Sequence, residues 1–195
     1  MVQMAQRAYS VGEYFVLEKM SDIKHEYYAG TIYAMAGASP THNRIAGNIY
    51  VALHTALDGS SCEPFGSDLR VYTPSGLYTY PDVSVICGPL EFTDHPAVPS
   101  ETVTNPVALF EVCSDATRDY DRGARFELYR AIPTLRYYVL VEQTAVSVEL
   151  RSRGHDGEWT SENLTSLDDV LTLPSLNFHM TLRDIYARVE FASGL

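Results

Sequence analysis

Lysine is nearly missing from these 195 residues: it occurs only at Lys19 and Lys24, so every basic residue beyond them is arginine. Positive charge is short overall, with 14 basic against 25 acidic residues and a formal net charge of −11. That sign is opposite to the one a phosphate-binding surface normally carries. Either the partner is not nucleic acid, or part of the negative charge is a cation site that is neutral only with metal bound. Cysteine is scarce as well. Cys62, Cys87 and Cys113 are odd in number and show no CxxC spacing, which argues against a zinc site and against a disulfide framework. Cys87 and Cys113 lie in apolar, strand-like runs and are expected to be small buried hydrophobes. No apolar run reaches the length of a membrane span, and MVQMAQRAYS holds none long enough for a signal peptide. The expectation is therefore a cytoplasmic protein with no membrane partner. No repeat, low-complexity tract or long linker is visible, so one domain over residues 1–195 is expected.

What is present is an ordinary globular composition, 46% hydrophobic and 20% charged. Ser10 and Glu13 have capping-box spacing and open a helix that runs to Met20. Residues 25–36 alternate as a strand pair turning near Gly30. Ser39-Pro40 starts a helix carrying Ile45, Ile49, Leu53, Ala56 and Leu57, ended by Asp58-Gly59. Residues 68–73, 78–87 and 107–113 read as three strands, and the proline-rich stretch 91–106 as an exposed loop. A helix follows over about residues 117–131, stopped by Pro133, and then a hairpin of residues 136–142 and 146–151. Trp159 belongs to a further short strand, and Thr181 with Asp184 caps a last helix bearing Leu182, Ile185, Tyr186 and Val189. Strands interleaved with helices predict an α/β fold with a mixed sheet flanked by helices.

Two carboxylates sit where carboxylates are costly. Asp82 follows Tyr80-Pro81 at the head of Val83-Ser84-Val85-Ile86, and Glu111 interrupts Val107-Ala108-Leu109-Phe110 and Val112-Cys113. Buried acids persist because they are paired, hydrogen-bonded or coordinating a cation. On adjacent strands these two would converge, and hard divalent ions such as Mg²⁺ or Mn²⁺ take oxygen ligands of this kind. Asp68 and Glu26 could complete the acidic cluster; the competing expectation for each is a structural pair with arginine.

These segments, in this order, resemble the Uma-two family of restriction-endonuclease-like domains, a branch of the PD-(D/E)xK nucleases. The resemblance runs through His25–Gly30, Tyr33–Gly37 with His42-Asn43, Ser67–Val71, Tyr80–Val83, Phe110–Ser114, Asp121-Arg122-Gly123 and Tyr137–Val141. It implies a restriction-endonuclease-like core, a central mixed β-sheet flanked by helices, with Asp82, Glu111 and Asp68 as metal ligands and Glu26 as a supporting acid. It also implies Mg²⁺ or Mn²⁺ as cofactor, DNA as substrate, and a homodimer as a form suited to cutting duplex DNA. The departure from the signature is instructive. Cys113 stands where its lysine would be, and the matching position on the following helix is Arg125. Arginine can grip phosphate bidentately but cannot act as a general base. Arg125 is open to a second reading, an i,i+4 ion pair with Asp121. Arg118, Arg122 and Arg130 make the same helix the most basic part of the chain, so Arg118, Arg122 and His42 are candidate nucleic-acid contacts, against a solvated helix face. Two functions follow: a metal-dependent endonuclease hydrolysing DNA phosphodiester bonds, or a catalytically impaired nuclease-fold binding or interaction module.

Overall fold

The computed structural model describes residues 7–95, 98, 101–114 and 117–191. The first half of the chain runs through α1 (Val11–Met20), β1 (His25–Tyr28), β2 (Thr31–Ala34), α2 (Pro40–Ala56), β3 (Cys62–Gly66), β4 (Arg70–Tyr72), β5 (Tyr78–Thr79), β6 (Val83–Cys87) and β7 (Thr102–Val103). The second half begins with β8 (Pro106–Cys113) and a helical segment, α3, over residues 118–129. Then come β9 (Tyr137–Glu142), β10 (Val148–Arg153), β11 (Trp159–Leu164), β12 (Val170–Leu173), β13 (Phe178–Thr181) and α4 (Leu182–Ile185). Six strands make a mixed sheet in the order β11-β10-β9-β8-β6-β3, in which only β8 and β9 run parallel. Five more make a second sheet, β2-β1-β5-β4-β7, and β12 pairs with β13.

The helix starts obey their caps. The Ser10 side chain accepts from the Glu13 amide while the Glu13 carboxylate takes the Ser10 amide, and Ser39 Oγ accepts from the His42 amide ahead of Pro40. Period-two alternation then sorts the central strands between two cores. Ala108, Phe110 and Val112 of β8, with Val139 and Val141 of β9, meet Ile45, Ile49 and Leu53 of α2 on one face. Leu109, Cys113, Tyr138 and Leu140 point to the other, against Phe126 and Tyr129 of α3, Val71 and Val103 of the second sheet, and Leu77 of its β4–β5 turn. Glu111 shares the parity of Leu109 and Cys113, so it faces the ground between α3 and the second sheet.

Three expectations need correction. The run 78–87 is not one strand: β5 belongs to the second sheet and β6 to the first. Pro81, which has no amide to give a ladder, lies at the crossing. Stretch 91–106 is not wholly loop, because Thr102 and Val103 are buried and pair in parallel with Arg70 and Val71. Most plainly, Cys87 is not a lone apolar residue. β3 and β6 lie antiparallel with Cys62 directly opposite Cys87, and the two form a disulfide across 25 residues of sequence. Cross-strand register, invisible to motif spacing, makes that pairing, and such bridges belong mainly to oxidising compartments. Cys113 is buried with a free thiol, as expected, and burial pushes its pKa up. No helix among the described residues is long and apolar enough to cross a membrane.

The segment α3 is not a uniform helix. Arg118–Tyr120 and Phe126–Tyr129 are α-helical, and Asp121–Arg125 between them is a π-helix. Its wider turn leaves carbonyls to other partners: Tyr138 Oη donates to the Asp121 carbonyl at 3.0 Å and Arg151 to the Arg122 carbonyl at 2.8 Å. The π turn also decides which face of α3 carries Arg125.

Candidate active site

A cavity of about 700 Å³ opens where the two sheets and α3 meet, and its lining includes Glu26, His42, Asp82, Glu111, Asp121 and Arg125. Residues from five separate stretches of sequence thus share one site. The crossing after β5 sets Asp82 one residue ahead of Val83, which pairs with Phe110, so Asp82 comes beside Glu111 across the β6–β8 ladder. Asp82 is held at both oxygens. Its Oδ2 accepts from the Val112 amide at 2.7 Å, and its Oδ1 lies 2.9 Å from His42 Nε2 in the first turn of α2. Burial works against a charged His42, but the hydrogen bond and charge of Asp82 outweigh it and hold the imidazolium above its ordinary pKa.

Glu111 is 7% exposed. Its Oε1 accepts from Tyr129 Oη at 2.7 Å and from Arg125 at 3.2 Å. Burial raises its pKa well above the usual carboxylate range; the nearby charges of Asp82 and Asp121 add to the rise, and Arg125 opposes it. Asp121 is raised for the same first reason, again with Arg125 pulling it down.

Arg125 is the hub. It is 8% exposed, so the reading of an exposed helix ion pair is too weak, although its Asp121 partner is the expected one. NH1 and NH2 grip the two oxygens of Glu26 at 2.8 and 3.0 Å, NH1 also reaches Glu111, and Nε lies 2.8 Å from Asp121 Oδ1 without an aligned hydrogen bond. Tyr129 Oη and Thr79 Oγ1 accept from NH1 at 3.2 and 3.1 Å, and Thr79 also donates to Glu26. The Tyr120 ring covers the guanidinium at 4.9 Å. Burial disfavours the cation, but Tyr129, Glu111, Glu26 and Asp121 together raise its pKa, so it stays charged.

The remaining candidates lie elsewhere. The Asp68 side chain is 97% exposed and pairs with Lys24 at 3.0 Å; it is not part of the cavity wall. Arg118 is bound by Glu142, and Arg122 spans Glu142 and Glu149, so β9 and β10 occupy the basic face of α3. Sequence reasoning missed Thr79 and Tyr129, which complete the polar cluster, and Lys24, which lines the cavity from upstream. Tyr129 had a readable signal, the i+4 spacing from Arg125 on one helix face. Tyr80 was also missed as an anchor. Its hydroxyl donates to Glu18 at 2.6 Å and accepts from Arg70 at 2.8 Å, which fixes the crossing that delivers Asp82.

A mixed sheet flanked by helices, with two acids on adjacent strands beside a buried basic residue on the next helix, defines the restriction-endonuclease-like nuclease fold. The Uma2 family profile, described as "Putative restriction endonuclease", matches residues 11–183. The chain belongs to that family. Among its relatives are two proteins of Synechocystis sp. (strain ATCC 27184 / PCC 6803 / Kazusa). "Uncharacterized protein slr1290" is 36% identical over 180 residues, 92% of this chain and 92% of that protein. "Uncharacterized protein sll1609" is 34% identical over 160 residues, 82% of this chain and 89% of that one. In three dimensions the chain is similar to a solved structure from Anabaena variabilis, described as "a putative nuclease belonging to DUF820". The match has a TM-score of 0.74 at 15% identity, covering 91% of this chain and 97% of the other.

Proposed function

We propose that the chain is a metal-dependent endonuclease that hydrolyses DNA phosphodiester bonds, with Asp82 and Glu111 holding Mg²⁺ or Mn²⁺. One observation carries this reading: the two acids, Glu111 buried and Asp82 half-buried, meet across adjacent strands in the lining of one cavity. Their donor set suits a hard ion. Asp82 accepts one hydrogen bond at each oxygen, and both bonds to Glu111 fall on Oε1. Each Asp82 oxygen therefore keeps one lone pair, and Glu111 Oε2 keeps both. No group of three or more His, Cys, Asp or Glu placed to hold a metal occurs among the described residues. Two carboxylates remain compatible with Mg²⁺, which usually retains several waters. When bound, the ion would polarise a phosphodiester and make its attached water more acidic.

The chain's own groups supply the rest. His42 orients Asp82 through Oδ1, and the Val112 amide fixes the other oxygen. Arg125 and Tyr129 hold Glu111 from the α3 side. In the hydrolysis, a water oxygen bonds to phosphorus, the bond from phosphorus to one sugar oxygen breaks, and the water's proton leaves to solvent while the sugar oxygen gains one. Arg125 does not accept that proton, since it remains a guanidinium.

A second reading has its own observation: Arg125 is fully engaged by three carboxylates, as it would be in a nuclease fold retained for binding. Plasmid nicking with Mg²⁺ or Mn²⁺ separates the two. We expect nicking by the wild type and a loss of at least about a hundredfold in Asp82→Asn and Glu111→Gln. Calorimetry should show Mn²⁺ binding that both variants lose. Folded wild-type protein that binds no Mn²⁺ and nicks nothing overturns the endonuclease reading and favours the binding module.

A further inference from the structure

The positive charge of Arg125 is already matched by three carboxylates. Its nitrogens face Glu26, Glu111 and Asp121, and its remaining hydrogen bonds go to Thr79 and Tyr129. A phosphodiester entering this acidic cavity needs a cation from another wall. Lys24, in the segment leading into β1, lines that wall. Its Nζ donates to the Ser67 carbonyl at 2.7 Å, pairs with Asp68 at 3.0 Å, and sits 5.4 Å from the centre of the Tyr80 ring, two residues before Asp82. The carbonyl and the ring hold the ammonium at the cavity.

Asp68 is a different kind of partner. The Lys24 side chain is 36% exposed and that of Asp68 97%, so their pair lies in water. Such pairs are worth about 0–1 kcal/mol. A phosphate oxygen can therefore take the place of the Asp68 carboxylate at little cost, while the Ser67 and Tyr80 contacts stay.

We propose that Lys24 is a substrate-contacting residue, gripping a backbone phosphate of the DNA strand that lies across the cavity, with Asp68 as the partner that phosphate displaces. This rests on the nuclease reading and adds a binding group that no signature position supplies. A lysine at such a contact releases counterions on binding, so it has its own salt dependence.

The test is fluorescence anisotropy of a labelled DNA duplex in Ca²⁺, a hard cation that fills carboxylate sites. It is run over a range of salt concentrations and alongside nicking assays in Mg²⁺. Lys24→Gln should raise Kd about tenfold and reduce the log–log salt slope by about one. Lys24→Arg, which keeps the charge, should recover most of the affinity. Asp68→Asn should bind at least as tightly as wild type, because a competing carboxylate is gone. Wild type that binds and cuts DNA beside a Lys24→Gln variant of unchanged Kd and slope overturns this inference alone. So does a Lys24→Arg variant as weak as Lys24→Gln, or weakened binding in Asp68→Asn. A wild type that neither binds nor cuts overturns the nuclease reading and Lys24's role with it.

Discussion

Replacing Arg125 by methionine tests whether the guanidinium is a structural hub, since the unbranched apolar stem is kept and the charge is lost. Three carboxylates lose their common counter-ion, and all three are buried: Glu26 at 7%, Glu111 at 7% and Asp121 at 4% exposed. Removing one partner of a buried ion pair typically costs about 3–5 kcal/mol. For a chain of this size each kcal/mol lowers Tm by about 2–4 °C, so a fall of about 6–20 °C is expected. The deficit should depend on pH in a defined direction. Burial already holds Glu111 and Asp121 above their ordinary pKa values, and Arg125 is what pulls them down. Without it they rise further, and the folded state then binds more protons than the unfolded chain. Stability of the variant must therefore fall as pH rises past the unfolded value of about 4, and the deficit against wild type must shrink again as pH drops toward it. Urea melts at pH 7 and near pH 4.5 measure both quantities. Arg125→Lys is the milder control, because one ammonium keeps the charge but cannot span Glu26 bidentately and still reach Asp121. It should lose about 1.5–3 kcal/mol, the worth of one hydrogen bond to a charged group. A loss below about 1 kcal/mol in the methionine variant, equal at both pH values, would refute the hub reasoning, because a buried pair that loses one partner costs several times that.

Three further outcomes are expected. His42→Ala should weaken Mn²⁺ binding or nicking by about 10–100-fold, the usual cost of losing a group that orients a ligand, and calorimetry on the folded variant measures it. Reducing the Cys62–Cys87 bridge should cost about 3.5 kcal/mol from its 25-residue separation alone. Thiol titration should find one free thiol before reduction and three after, and a native protein with three sinks the bridge. Ala29→Asn should stabilise the protein by about 1 kcal/mol, because Ala29 and Gly30 form the β1–β2 turn with φ of 47° and 84°, where alanine is strained. A thermal melt in which the variant is no more stable argues against that turn geometry.

Which parts of the site could be read from sequence follows from how far each contact reaches. Asp82 and Glu111 stood out because a carboxylate inside an apolar run is a local anomaly, and Arg125 because the family resemblance puts it where the signature lysine has moved to the following helix. Helix starts at Ser10 and Ser39 were readable for the same local reason. Lys24, Thr79 and the Cys62–Cys87 bridge were not, since each depends on which strands lie side by side. Period-two patterning cannot tell one long strand from two short ones in different sheets, so the crossing at Pro81 looked like continuous strand. The basic face of α3 misled for a related reason: the glutamates that neutralise Arg118 and Arg122 arrive on β9 and β10, which sequence spacing alone does not bring near. The scarcity of lysine takes on a different weight once these pairings are known. Most of the arginines that could be read as a DNA surface are committed to carboxylates, and Lys24, tied to a solvated aspartate, is left with charge it can transfer to a phosphate. That is why Lys24 in the cavity lining should contribute its own unit of salt dependence, while the buried Arg125 should contribute none.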